Sequence, residues 1–217
     1  GDAITVRYRD NNVYRIMVID GGTEESGELV VKHIQTAYGA DSVVDDVICT
    51  HPDSDHASGL RSILREIPVR RLWLHGVWHH AEEMLPMFND KRWTAAGLSN
   101  AIRKEYPIIE ELIDLAAERD VEVYEPFAGQ EIGPFQVLSP TKYAYLHLVP
   151  QFRKTPEVDA DEMQRRGMWL NPQKGIVAGL VQAAKAVVAN LIPESWNVEK
   201  LQEGGVTAAE NESSTVL

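Results

Sequence analysis

The hydrophobic pattern divides the chain into alternating extended and helical stretches. Residues 3–8 (Ala-Ile-Thr-Val-Arg-Tyr) and 13–19 (Val-Tyr-Arg-Ile-Met-Val-Ile) are β-rich, and Asp10-Asn11-Asn12 between them has turn chemistry, which predicts a hairpin. Asp20-Gly21-Gly22 ends the second strand. A helix is expected from about Ser26 to Tyr38, with Leu29, Val30, Ile34 and Ala37 on one face. Residues 46–50 read as a short strand. Residues 56–67 read as a second helix, with Leu60, Ile63, Leu64 and Ile67 at helical spacing, and 69–74 as the next strand. Residues 79–119 are expected to be mostly helical, with Pro107 opening the helix that runs to Arg119. Residues 121–138 return to strands, with turns at Gly129 and Gly133-Pro134. The stretch 151–172 is polar and broken by prolines, so a loop or insertion is expected there. Residues 175–191 carry a wide apolar stripe and read as a helix, and the chain beyond Pro193 is loop-like until Ser214. The alternation of strand and helix indicates an α/β layered domain.

Composition narrows the class. A chain of 217 residues with 44% hydrophobic and 25% charged residues is globular and long enough to bury its own core. One domain is expected, with about 151–195 as a loop-plus-helix insertion. The 33 acidic against 21 basic residues leave a net charge of −12, which argues against long duplex DNA or anionic membrane as partner. No apolar run reaches the length of a membrane span. Cys49 is the only cysteine, so no disulfide framework exists and a reducing, cytoplasmic setting is expected. Gly1 stands where an initiator Met would, and Thr215-Val216-Leu217 reads as a strand just beginning, so the sequence is expected to be part of a longer chain.

One segment carries chemistry. Residues 50–56 read Thr-His-Pro-Asp-Ser-Asp-His, which places His51, Asp53, Asp55 and His56 where a short apolar strand runs into a helix. The carboxyl end of a strand is where an α/β sheet forms its binding crevice. His51 and Asp53 share parity along an extended segment, and Asp55 and His56 sit at the turn into the helix, so one segment can serve two adjacent cations. Imidazole and carboxylate both bind first-row divalent ions, and a cation removes the repulsion between neighbouring carboxylates. The competing reading is a polar helix start with Asp55 as cap and the histidines incidental.

The run Val18-Ile19-Asp20-Gly21-Gly22, a helix, then Thr50 to Leu60 resembles the metallo-β-lactamase superfamily, whose signature is His-x-His-x-Asp-His. Asp53 stands at the second position. That HxDxDH variant resembles the metallo-β-lactamase-like domain of the competence (DNA-uptake) proteins, as do Gly1-Asp2-Ala3-Ile4 and Asn211-Glu-Ser-Ser214. The resemblance implies an αββα sandwich and a binuclear site of two divalent ions. His51 and Asp53 would hold the first ion, and Asp55 and His56 the second. Asp55 would also orient the attacking hydroxide, and Asp20 would orient the metal loop by hydrogen bonds. An aspartate in place of an imidazole hardens the first site, which weights Mn²⁺ or Mg²⁺ alongside Zn²⁺. The family's bridging Asp and last His would lie beyond Leu217. Its mid-chain His has no clear match, His147 reading as a core or helix-surface residue.

These features support two function classes. One is a metal-dependent hydrolase, a phosphodiesterase or nuclease-type enzyme acting on a small anionic substrate, a nucleotide or a short single strand. The other is a non-catalytic scaffold or regulatory module of a larger complex. His75, Trp78 and His79 follow the next strand and are candidates to line the substrate pocket, against a surface loop whose Trp packs on the next helix. Arg70-Arg71 and Arg165-Arg166 are candidate phosphate contacts against solvated pairs. The stripe of 175–191 suits core packing or a homodimer interface, with no membrane role.

Overall fold

The computed structural model describes residues 1–167 and 208–217. The helix and dimer face expected at 175–191, and most of the loop-plus-helix insertion, lie outside the described residues.

A five-stranded sheet runs in the order β1 (Ile4–Asp10), β2 (Val13–Ile19), β3 (Val44–Ile48), β4 (Val69–Trp73), β5 (Glu122–Tyr124). The β1–β2 hairpin is antiparallel; β2, β3, β4 and β5 are mutually parallel. Asn11 and Asn12 make the hairpin turn with φ of 46° and 66°, values that asparagine tolerates better than most residues.

Alternation sorts the strand residues onto two faces. Ile16, Val18, Val47 and Leu72 face a helical layer, where α1 (Glu24–His33) packs on α3 (Leu60–Glu66) and α3 on α6 (Pro107–Glu118). Met17, Ile48 and Trp73 face the other way and are covered by the ribbon of β6 (Glu131–Ile132) and β7 (Phe135–Gln136) through Ile132 and nearby Val137. On this second face Asp46 is fully buried. Arg71 holds its carboxylate with two hydrogen bonds of 2.7 and 2.9 Å, and the Trp73 indole donates a third of 2.8 Å. Arg70 lies 3.4 Å from the buried Asp45, so the Arg70-Arg71 pair neutralises two buried acids of the sheet while Arg70 stays exposed to solvent. Arg165 and Arg166 pair with Glu162.

Several boundaries differ from expectation for visible reasons. The first helix starts at Glu24 because the Thr23 hydroxyl accepts the Ser26 amide. It widens into a π turn over Ile34–Tyr38, where Thr36 Oγ1 donates to the Lys32 carbonyl at 2.7 Å. The helix expected at 56–67 is two pieces, α2 (Ser54–Ala57) and α3, because the Gly59 amide donates to Gly22 O instead of continuing the helical ladder. The helical stretch 79–119 comprises α4 (Ala81–Met84), a 3₁₀ turn (Leu85–Met87), α5 (Ala95–Glu105) and α6, which Pro107 opens as expected. The described part of the loop expected at 151–172 is mostly irregular, as read, but carries one short helix. From 142 to 165 the chain forms α7 (Lys142–Leu148), a 3₁₀ turn (Val149–Gln151) and α8 (Ala160–Arg165). Residues 209–212 are helical (α9, Ala209–Glu212), and only then does the chain extend, with Val216 bridging Ser139.

Candidate metal centre

Four parallel strands deliver their last residues to one edge. Each strand carries its ladder one step further: Asp20 N bonds Ile48 O, Cys49 N bonds Trp73 O, and Leu74 N bonds Tyr124 O. The residues that come next, Asp20, Thr50-His51, His75 and Glu125, therefore line the carboxyl edge in strand order.

Asp20 is the hub. It is buried and sits at φ 55°, a left-handed conformation uncommon for a residue with a side chain. Its Oδ1 accepts the Thr50 amide at 2.8 Å. Its Oδ2 accepts the Thr50 hydroxyl at 2.7 Å and faces His56 Nδ1 at 2.8 Å. Close glycine contacts allow this approach. A Cβ on Gly59 would collide with Gly21 O, and one on Gly27 with Gly59 O.

These bonds fix the tautomers. A carboxylate only accepts, so His56 Nδ1 carries the proton it shares with Asp20. The one Thr50 hydroxyl proton is spent on Asp20. His51 Nδ1, 2.9 Å from Thr50 Oγ1, must therefore be the donor there. In the neutral rings this leaves the lone pair on Nε2, and the rings lie 4.1 Å apart, centroid to centroid. Burial, then the neighbouring His56, lowers the His51 pKa, so its ring is neutral at pH 7. Ligand atoms of Asp20, His51 and His56 lie within 4.8 Å of one another, the single group of this kind among the described residues. Because Asp20 already accepts three hydrogen bonds, it fits the role of orienting the histidines better than that of a direct ligand.

The other two acids of the segment stand at a cleft. Asp53 is the residue before α2, yet its side chain makes no capping bond, and Asp55 lies inside the first turn. The helix-cap reading of Asp55 is thus corrected: its carboxylate lies 3.1 Å from Gly1 N and 3.8 Å from His56 Nε2. Arg153 Nη2 binds both oxygens of Asp53, at 3.1 and 3.0 Å. Arg153 also donates from its backbone N (2.7 Å) and Nε (3.2 Å) to the buried Glu210 on α9. A cleft of about 430 Å³ opens here, lined by Asp53, Asp55, Tyr106, Arg153, Lys154 and Glu210 among others.

The second histidine group is divided. His75 is buried behind His51, and the two border a void of about 10 Å³ with Cys49, Thr50, Leu74 and Tyr145. Desolvation holds the His75 pKa at about 4, and its ring stacks on Tyr145 at 4.3 Å. Trp78 is turned into the core. The Ser99 hydroxyl donates to its carbonyl and the Arg103 guanidinium lies 5.6 Å from its ring, so it packs on α5. His79 is half-exposed, 3.4 Å from Glu125. His80 bonds Glu125 at 3.0 Å and Glu83 at 3.2 Å. Burial would raise the Glu125 pKa, but the His79 and His80 contacts outweigh it and hold it at about 2. His147, buried, bonds the Tyr143 carbonyl at 2.5 Å. Cys49 is buried, with burial pushing its thiol pKa well up.

Thr50, Glu125, Tyr106, Arg153 and Glu210 were not singled out by their sequence context. Glu125 has the signal that flags His75, a position just after a parallel strand. Arg153 and Glu210 have none, because they meet the site from far along the chain.

A mixed sheet with helices on one face, a ribbon on the other and histidines at its carboxyl edge defines a fold of the metallo-β-lactamase class. The family model of the metallo-beta-lactamase superfamily matches residues 10–147, well over half of the chain, and the chain belongs to that superfamily. No curated protein matches it.

Proposed function

We propose that the protein is a metal-dependent hydrolase of the phosphodiesterase kind, with His51, Asp53, Asp55 and His56 holding two divalent cations. The observation that carries this reading is the pair of Nε2 lone pairs, set by Asp20 and Thr50 and flanked by two uncapped carboxylates. Nitrogen and oxygen donors in this mixture suit Mn²⁺, Mg²⁺ or Zn²⁺. Bound there, such cations would lower the pKa of a water and polarise a phosphoryl oxygen.

The chain's own residues supply the rest. Thr50 and Asp20 keep both rings in the donor-ready tautomer. Asp55 lines the cleft and would orient the incoming water. The acidic surface favours a small phosphodiester, such as a nucleotide or short single strand, over long duplex. The HxDxDH pattern supports a tie to the competence-protein branch, and the lone, unpaired Cys49 supports a cytoplasmic setting.

The test is hydrolysis of bis(p-nitrophenyl) phosphate by the full chain with added Mn²⁺. Turnover is expected with metal, none after chelation, and a drop of about a hundredfold or more in Asp55→Ala. Turnover unchanged in Asp55→Ala would sink the catalytic assignment. No turnover and no metal uptake would leave the non-catalytic module.

A further inference from the structure

We propose that Arg153 serves two partners in turn: it is the resident counter-ion of Asp53, and it becomes the holder of the substrate's phosphoryl group once Asp53 is given over to a divalent cation. The inference rests on the metal-centre reading above and adds the residue that would recognise the anion.

The placement argues for it. Arg153 Nη2 touches both Asp53 oxygens, which is where a cation would bind that carboxylate. Guanidinium and metal therefore compete for one acceptor. The arginine backbone is anchored away from this contact, its N–H donating to Glu210 at 2.7 Å. The guanidinium can pivot off Asp53 about its Nε contact with Glu210, or give that contact up, while the backbone bond still holds the residue in place. The side chain is 63% exposed, so moving the head costs little desolvation.

The cleft itself lacks an electrostatic balance. Its lining holds Asp53, Asp55, Glu105 and Glu210 against Arg153 and Lys154, so an anion is repelled until cations enter. After that, Arg153 and Lys154 are the cationic side chains of the cleft wall. Lys154 is loosely held, 3.3 Å from the Glu105 carbonyl and 5.6 Å from the Tyr106 ring. Tyr106 is 4% exposed, and its hydroxyl has no hydrogen-bond partner among the described residues. A buried hydroxyl without a partner on the wall of an anion cleft is a donor awaiting an acceptor. A planar guanidinium can present two N–H groups to two oxygens of a phosphate, where now Nη2 alone reaches the two Asp53 oxygens.

The test is calorimetry on the full chain, titrating Mn²⁺ first and then inorganic phosphate into the Mn²⁺-loaded protein. Arg153→Met should bind Mn²⁺ about three- to tenfold tighter, because the competitor is gone, and phosphate about tenfold weaker. These opposite shifts from one substitution are not expected of a merely structural residue. Lys154→Met should weaken phosphate alone, by about threefold. If Arg153→Met lowers the melting midpoint, Arg153→Lys replaces it, with the same two shifts at smaller size. Wild-type affinities for both probes in the Arg153 variant would overturn the proposal and leave the metal centre standing. Equal phosphate binding with and without Mn²⁺ would overturn it too. Failure of the wild-type chain to take up Mn²⁺ would overturn both readings at once.

Discussion

Asp20 concentrates three obligations in one carboxylate: it fixes the loop backbone, the Thr50 rotamer and the His56 tautomer. Asp20→Asn keeps the size and tolerates the left-handed backbone, but it presents an N–H₂ where an acceptor is needed. We expect a loss of about 2–3 kcal/mol in urea unfolding and a ten- to hundredfold loss of Mn²⁺ affinity, roughly. His75 makes a different prediction. Its folded pKa of about 4 lies below the ordinary 6.5, so the unfolded chain takes a proton that the folded one refuses. That contribution is whole above pH 6.5 and is lost as pH falls toward 4. Between pH 7.5 and 5 it amounts to about 2 kcal/mol. His75→Phe keeps an aromatic ring on Tyr145 and has nothing to titrate. Denaturant midpoints at the two pH values should converge by that amount relative to wild type; parallel losses would refute the assignment.

Among the elements, the junction of α2 and α3 decides whether the site forms. Gly59 N bonds Gly22 O, Gly21 N bonds His56 O, and backbone lies against backbone at both places. Gly59→Ala puts a methyl group into Gly21 O, and we expect a cost of about 3 kcal/mol or more, read as a lowered unfolding midpoint. This junction also marks how far the sequence could be read. Strand residues 13–19 and 69–74 and the Pro107 helix declare themselves by β-branched content, apolar spacing and proline. The donor cluster was visible because its residues are neighbours in sequence. The split of 56–67 was not, since Leu60, Ile63, Leu64 and Ile67 keep helical spacing whether or not a foreign carbonyl takes the Gly59 amide. The tautomer of His51 depends on a three-body chain through Thr50, which no spacing rule encodes. Trp78 follows a strand as a pocket residue would, yet its large apolar area goes to α5. Arg153 is invisible for a simpler reason: its partners Asp53 and Glu210 lie 100 and 57 residues away.

For the molecule as a whole, ligand binding should register as stability. At a free Mn²⁺ concentration of about a hundred times Kd, linkage adds about 2.7 kcal/mol, or roughly 5–10 °C in a chain of this size. Thermal unfolding should show that rise in the wild type and none in His51→Ala; equal rises in both would place the ion elsewhere. No helix among the described residues is long and apolar enough to cross a membrane. The Thr215 amide donates to the carbonyl of Thr50, and Glu210 lies beneath Arg153, so the loop that presents His51 is braced by a stretch more than 150 residues downstream. A nascent chain emerging from a ribosome makes its donor histidines well before this brace. Until residue 215 arrives, the loop lacks that brace and the Arg153 anchor. The final shape of the His51 loop therefore waits until the chain has reached residue 215.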